Sequence, residues 1–439
     1  MEDQGSTKVI PTNNVQSTIH PDYPTPTKLG YVERSVEDIV SCTIFPENTD
    51  LHELTNLEFI IHPATGHYVD LNSLQIELKI QLLDANGGRA QVNPNTAYFV
   101  DNILQTIFPV RKVFINNVAV ESTYHGSHLS YLKQLIDTPN EITKNRGFCQ
   151  GAFPIEKETL IREMTDPHMG RMRDRINFSK QETIHLKGPL NLDVSSLNKW
   201  LLDGCTTRVV LQPAKSAYVI KSVQPVATNY KYQITMARLY VDRIKPVTGA
   251  FLTTSKQLLT TNSEYIFRKN VVHTEQFAQG QSSIIINRPF LNKIPKILKI
   301  FMVCGVAENG SYGLNPFFYD AMNIINLKVM IDGVALLDST LNCEQGLINA
   351  YVDSLKAHDA ETHFIPQQVF DKGGMVLVVK TNPSSLDDIY VEKRGNLSIQ
   401  IKVNHAIPLP RPQIVYIVGE TTGIFEINAD REVITNYSY

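Results

Sequence analysis

Twelve histidines, five cysteines and a surplus of carboxylates are the side chains of this chain best suited to chemistry. Their spacing decides whether they can act together. His358-Asp359-Ala360-Glu361-Thr362-His363 is the nearest approach to a metal-ligand cluster. Its histidines are five apart, and a helix brings residues onto one face at three or four, so the stretch reads as a solvated polar loop. His125 and His128 are three apart near a helix start and read as a surface or capping feature. No G-x-S-x-G elbow, H-E-x-x-H helix, G-x-G-x-x-G turn, phosphate-cradling loop or C-x-x-C pair occurs in the sequence. The acids are numerous, but no spacing singles out a catalytic pair. Arg162, Arg171, Arg173, Arg175 and Lys180, interleaved with Glu163, Asp166 and Asp174, read as a solvated face. The alternative is a patch facing nucleic acid or an acidic neighbour. Trp200 reads as core rather than a ligand platform. The sequence therefore predicts no catalytic residue, no cofactor-binding residue and no metal ligand, and so no enzyme.

The 439 residues are 42% hydrophobic and 19% charged, with a formal net charge of −3. That balance fits a folded chain with room for two or three domains, and does not support a dedicated nucleic-acid binder. The polar, early-acidic start lacks the apolar core of a signal peptide, and no run approaches the ~18 apolar residues of a membrane helix. The cysteines (Cys42, Cys149, Cys205, Cys304, Cys343) are dispersed and odd in number. They predict reduced thiols, buried as small hydrophobes, in a chain that folds inside a cell.

The elements that must position these residues are mostly strands. Leu74, Ile76, Leu78, Ile80 and Leu82 alternate with Gln75, Glu77, Lys79 and Gln81, the period of a half-buried strand, and Asn86-Gly87-Gly88 ends the run. Ile115-Asn116-Asn117-Val118 and Ile331-Asp332-Gly333-Val334 predict two-residue hairpins, because Asn and Gly tolerate positive φ. Residues 233–245 and 413–427 predict long strands or strand pairs. Helices are few: one from Ser127, with Leu129, Leu132, Leu135 and Ile136 on one face, stopping at Thr138-Pro139, and a second over 250–261. Residues 1–35, rich in Thr, Pro, Asn and Ser, predict an arm, either a clamp under neighbouring subunits or a free tail.

The chain repeats itself. Leu71-Asn72-Ser73-Leu74 before Leu78-Lys79-Ile80 recurs as Leu291-Asn292-Lys293-Ile294 before Leu298-Lys299-Ile300. The hairpins recur, as do Ser195-Ser196-Leu197 (as Ser384-Ser385-Leu386) and Gln233-Ile234 (as Gln413-Ile414). The offset falls from 220 for Leu71 against Leu291 to 180 for Gln233 against Gln413. The first copy is therefore longer, and its extra residues are expected between 123 and 180. Two tandem β units joined near Pro246 predict an all-β fold: two eight-stranded jelly rolls with a few short helices in loops. The expected limits are an arm 1–35, a first roll 36–246, a second roll 247–427 and a C-terminal tail 428–439.

Particular blocks carry a resemblance. They are Leu57-Glu58-Phe59, Tyr68-Val69-Asp70-Leu71, Gln105-Thr106-Ile107-Phe108 before Val113-Phe114-Ile115-Asn116, Gly188-Pro189-Leu190-Asn191-Leu192-Asp193, and Ala237-Arg238-Leu239-Tyr240-Val241. The most specific is Asn309-Gly310-Ser311-Tyr312, then Asn315-Pro316-Phe317. In this order they resemble the double jelly-roll major capsid proteins of Polinton (Maverick) elements and adintoviruses, from about residue 50 to the C-terminus; the arm does not match. The resemblance implies a structural role: homotrimers whose six rolls make a near-hexagonal tile of an icosahedral shell. It also implies contacts with neighbouring capsomers and a vertex or minor capsid protein, weak contact with packaged DNA, no membrane span, and a virion location after assembly inside the host cell, the nucleus included. Residues 122–180 and 339–370 are expected to supply much of the trimer contact and outer surface. The competing expectations are another virion component, usually a single roll, a β-sandwich binding module or carbohydrate-active enzyme, and a host-domesticated β-sandwich protein.

Overall fold

The computed structural model describes residues 36–48, 55–88, 97–154, 172–197, 199–222, 229–319, 324–341, 344–358, 365–371, 373–381, 393–404 and 411–435. The expected arm, Cys343, His363, Arg162, Arg171 and Ser384-Ser385-Leu386 lie outside them.

The alternating run forms β3 (Tyr68–Leu83). Leu74, Ile76, Leu78, Ile80 and Leu82 are buried, Gln75 is exposed, and Lys79 and Gln81 are half-buried. Glu77 departs from the alternation. It is buried beneath His185 and Tyr240, whose side chains hydrogen-bond its carboxylate.

Four antiparallel sheets carry the fold. β1 (Val36–Ile44), β10 (Lys231–Pro246), β3 and β7 (Ile184–Pro189) pair in that order. Against them stand β2 (Leu57–Ile61), β8 (Thr207–Gln212), β5 (Val110–Ile115) and β6 (Val118–Thr123). The short β4 (Ala97–Phe99) pairs with β9 (Ile220–Ser222). The later strands repeat the order. β11 (Ser263–Phe277), β20 (Gln413–Ile427), β14 (Ile297–Cys304) and β17 (Leu377–Lys380) form one sheet, with β21 (Val433–Thr435) added beside β20. β12 (Ser283–Asn287), β19 (Leu397–Val403), β15 (Ile324–Ile331) and β16 (Val334–Thr340) form the other, and β13 (Lys293–Ile294) pairs with β18 (Lys393–Arg394). Each strand of the first two sheets thus has a counterpart at the same place in the second two. Two four-stranded sheets per copy make two jelly rolls in tandem, a topology that leaves few edges free.

The duplication reaches single residues. Asn116 and Asn117 take φ 45 and 65, and Asp332 and Gly333 take φ 50 and 82, as a two-residue primed turn requires. In both hairpins the first turn residue ties back to the next sheet neighbour. The Thr206 amide donates to Asn116 Oδ1 at 2.8 Å, and the Asn396 amide donates to Asp332 Oδ1 at 2.8 Å. Both hairpins also carry a β-bulge at the same place, beside Val113/Phe114 and beside Val329/Met330. A bulge re-aims a strand, so its recurrence preserves one strand path in both rolls.

One sequence match is not a structural equivalence. Leu78 pairs with Ala237, and Leu298 pairs with Gly419. On that register Gln233 (opposite Gln81) and Gln413 (opposite Cys304) sit on different rungs, displaced in part by a bulge between Ile234 and Met236.

The rolls differ most after the hairpin. Residues 124–183 of the first carry the helices Gly126–Leu132, Asn140–Arg146 and Met172–Ser179; residues 341–376 of the second carry Glu344–Ala357 and Gln367–Phe370. The extra length lies where the falling offset places it. The helix from Gly126 continues as a π turn to Asp137, and the helix Thr248–Leu258 lies between β10 and β11. Among the described residues one large hydrophobic core runs through both rolls, from Leu57 to Ile427, beside a small separate cluster of Cys304, Ala307 and Leu314.

The two turns predict changes of opposite sign. A Cβ at Gly333 would meet nothing within 4 Å, so Gly333→Ala isolates the cost of a positive φ. It should lower stability by about 1–2 kcal/mol. Asn117→Gly should be neutral or raise stability by a few tenths of a kcal/mol, about the ease with which glycine adopts this φ. Denaturant midpoints of the two variants check both signs.

Candidate functional site: the seam between the rolls

The sequence-predicted candidates scatter, with one exception. Of the His358–His363 stretch only His358 is described; it pairs with Asp137 of the first roll at 3.2 Å. Among the described residues, no three His, Cys, Asp or Glu side chains stand close enough together to hold a metal ion. Trp200 packs half-buried at the margin of the core. Cys205 and Cys304 are buried and Cys42 is half-buried, as expected of small hydrophobes, but Cys149 is exposed. Arg175 corrects the reading of the basic stretch as a solvated face. It is buried and lies 3.3 Å from Asp101, whose carboxylate also accepts the Phe153 amide (2.8 Å) and Gln134 Nε2 (3.2 Å). Burial raises the Asp101 pKa despite Arg175 and these donors. An unpaired buried charge is costly, and the pairing explains an arginine at this position.

The exception is His128, expected at the surface and in fact 1% exposed. It stands at the centre of the seam between the rolls. Its Nε2 lies 2.7 Å from Glu308 Oε2, and its Nδ1 lies 3.1 Å from the Tyr319 hydroxyl. The Tyr416 hydroxyl donates to the other Glu308 oxygen at 2.8 Å. Tyr218, Phe301 and Phe317 complete an aromatic enclosure around the imidazole. Phe301 and Tyr416 stack at 5.0 Å between neighbouring strands β14 and β20. Burial pushes the Glu308 carboxyl up, but His128 and the hydrogen bonds from His128 and Tyr416 outweigh it and hold the pKa below its usual value. Beside it, burial moves the His125 pKa down, and the neighbouring His128 adds to that shift. The tyrosines, shut away from water, have hydroxyl pKa values well above normal.

Lys221 is a second pin. It is 1% exposed, and its Nζ donates to the Ala217 carbonyl (3.0 Å) in the first roll and the Ser311 carbonyl (2.7 Å) in the second. Burial brings its pKa down to about 7, against a smaller opposing pull from Glu308. The Ser222 amide also donates to the Tyr312 carbonyl, and the Tyr312 hydroxyl to the Tyr230 carbonyl. The 309–312 block, the most specific part of the resemblance, is therefore seam structure. Gly310 takes φ 98, a backbone conformation that side chains rarely adopt, so this position favours glycine; a Cβ there would make only an ordinary contact with Ala217 at 3.5 Å.

A polar cavity of about 210 Å³ opens along the same seam, lined by Arg111, Glu121 and Asp193 from the first roll and Arg268, Lys299 and Glu420 from the second. Arg111 is a structural cation. Its guanidinium donates to the carbonyls of Gln105 (2.6 Å), Gly126 (3.0 Å), Phe108 (3.1 Å) and Asn191, and burial lowers its pKa to about 10. A Cβ on Gly126 would lie 2.7 Å from Arg111 Nε, which explains a glycine at this helix start. Burial raises the pKa of Glu121 and of Asp193, and the nearby Asp193 charge raises Glu121 further. Each accepts backbone amides: Glu121 from Val194 (2.9 Å) and Asp193 from Asn270 (3.0 Å). The Asp193–Asn270 bonds cross the boundary between the rolls, while Arg111 and Glu121 brace the first roll's side of it.

The comparisons agree with this geometry. No protein-family model matches the chain. An uncharacterized Caenorhabditis elegans protein, F54H12.2, is 19% identical over 397 residues, 86% of this chain and 93% of its own length. Among solved structures, a chain of the Sputnik virophage matches with a TM-score of 0.60 at 15% identity, covering 99% of this chain and 96% of its own. The Faustovirus major capsid protein matches with a TM-score of 0.58 at 8% identity, over 90% and 91% of the two chains. The mavirus major capsid protein matches at 0.53 and 10% identity, over 99% and 97%. The likeness is one of fold: this chain shares the double jelly roll of viral major capsid proteins across both rolls.

The Lys221 pin predicts a pH dependence. Its folded pKa of about 7 lies below the ordinary 10.5. Between those values the unfolded chain carries a proton that the folded chain lacks, so this group's contribution is fully present above the unfolded pKa and is lost as pH falls through about 7. The stability difference between wild type and Lys221→Met should grow in favour of wild type from pH 7 to 10, by at most about 1.4 kcal/mol per pH unit. Urea unfolding at each pH reads it; a constant difference would mean that the lysine stays charged.

Proposed function

We propose that this chain is a structural major capsid protein, whose trimers present six rolls as a pseudo-hexameric tile of an icosahedral shell. The observation that carries this reading is the side-by-side fusion of two rolls of identical strand order through one buried seam, in a fold shared with viral major capsid proteins over nearly the whole chain. Such a unit has a geometric task. Two rolls per chain let a threefold assembly fill a near-hexagonal outline. The net charge of −3 permits close lateral packing without strong mutual repulsion.

The finer reading places the chain with the capsid proteins of Polinton (Maverick) elements and adintoviruses. Its support is the ordered set of sequence blocks, of which 309–312 and 315–317 line the seam. The proposed limits are an arm 1–35, a first roll 36–246, a second roll 247–427 and a tail 428–439, the tail including β21. The proposed partners are further copies of the chain, a vertex or minor capsid protein, and weakly held packaged DNA. The proposed location is the virion, after assembly inside the host cell, with the nucleus as the compartment to examine. Part of the 122–180 segment assigned to contacts between chains, including His128 and Asp137, already serves the seam within the chain.

Expression of the chain alone, followed by light scattering after gel filtration and negative-stain imaging, tests the proposal. Trimers with a hexagonal outline, or closed shells, are expected. A particle that stays monomeric at every concentration, or a measured hydrolytic activity lost on mutating seam carboxylates, would overturn it.

A further inference from the structure

The seam within the chain has two sides, and each has a counterpart in the other roll that carries exposed apolar side chains among the described residues. On the second roll, the seam uses β11, an edge strand. The Arg268 amide donates to Ser196 Oγ (3.0 Å), the Asn270 amide to Asp193 Oδ2 (3.0 Å), and Asn270 Nδ2 to Asp193 Oδ1 (2.8 Å). On the first roll, that same 193–196 segment covers β6. Val194 binds Glu121, and Val120, the extra residue of the bulge, is 1% exposed.

The counterpart of β11 in the first roll is β1, and the counterpart of β6 in the second is β16. Following the ladders outward from Leu78 and Leu298, Thr43 pairs with Tyr240 where Arg268 pairs with Thr422. Thr43 and Phe45 therefore stand where Arg268 and Asn270 stand. Both are exposed, Phe45 at 62%, with Ile39 at 57% on the same strand. On β16 the bulge residue equivalent to Val120 is Leu336, at 42% exposure, and Val334 beside the turn is at 72%. Edge strands usually carry charge or cover against association, and exposed apolar side chains on two of them mark sites of contact.

We propose that the β16 side of the second roll docks on the β1 edge of a second copy of this chain, repeating between chains the seam that joins the rolls within one. The argument rests on the trimer reading above and names its contact surface. A contact between two different patches propagates head to tail until it closes on itself. Alternating the seam within a chain with its copy between chains keeps every roll in the same relation to the next, and closure at six rolls gives three chains.

The head-to-tail character supplies the test. Ile39→Asp with Phe45→Asp removes one patch; Val334→Asp with Leu336→Asp removes the other. Each double variant should elute as a monomer where the wild type is trimeric, with an unchanged circular dichroism spectrum. Mixed, the two should form a dimer and stop there, because each retains one intact patch and only one productive pairing remains. Variants that trimerise like wild type, or a mixture that stays monomeric, would overturn the proposal. So would β16 variants that lose thermal stability but not assembly, since residues of the same chain would then cover β16. If the aspartates unfold the chain, the milder pairs Ile39→Ser with Phe45→Ser and Val334→Ser with Leu336→Ser give a second reading: loss of the trimer by each and a dimer on mixing are expected, and wild-type trimers from both sink the proposal. A wild type that never leaves the monomer sinks the trimer reading itself, whereas a wild-type trimer indifferent to these variants sinks only this contact.

Discussion

Two β-sandwiches joined by a chain segment alone would rock against each other, because surfaces between domains are ordinarily small and polar. Here the hydrophobic core is continuous from one roll into the other, and that continuity fixes their relation. A sheet that faces its own core on one side and another roll on the other must be apolar on both. β14 and β20 meet this demand with Phe301 and Tyr416 stacked outward into the seam. Once such a face is buried, its polar contents must be satisfied, since an unpaired buried carboxylate or imidazole costs several kcal/mol, about the scale of a whole domain's stability. Glu308, His128 and the surrounding tyrosine hydroxyls satisfy one another, and Lys221 answers two carbonyls. The polar cluster is a consequence of burying the seam, and it also selects one register, because hydrogen bonds have direction where apolar contacts do not.

Much of this was legible in the chain. β3 announced itself by alternation, the hairpins by Asn-Asn and Asp-Gly, and the duplication by matching blocks at a falling offset. These signals are local: period two and positive φ depend on neighbours in sequence. Glu77 broke the alternation for a reason no local pattern carries, since His185 and Tyr240, which cover it, arrive from β7 and β10.

The seam was not legible from spacing. His128 looked like a surface residue because its partners, Tyr319 and Glu308, lie 191 and 180 residues away. Arg175 looked solvated because its neighbours in sequence are charged, while its partner Asp101 follows β4. The one sequence-level pointer to the seam was the block from Asn309 to Phe317, singled out by resemblance; its chemistry, a glycine at positive φ against Ala217 and a carbonyl offered to Lys221, emerges only in three dimensions.

The unequal connections that follow the hairpins, residues 124–183 in one roll and 341–376 in the other, break the likeness of the two halves. In a ring of three chains, corners of two kinds would alternate around the rim. Such a tile is not interchangeable with itself after a sixth of a turn. Neighbours could then sense its orientation, and a curved lattice could place each tile by more than its outline.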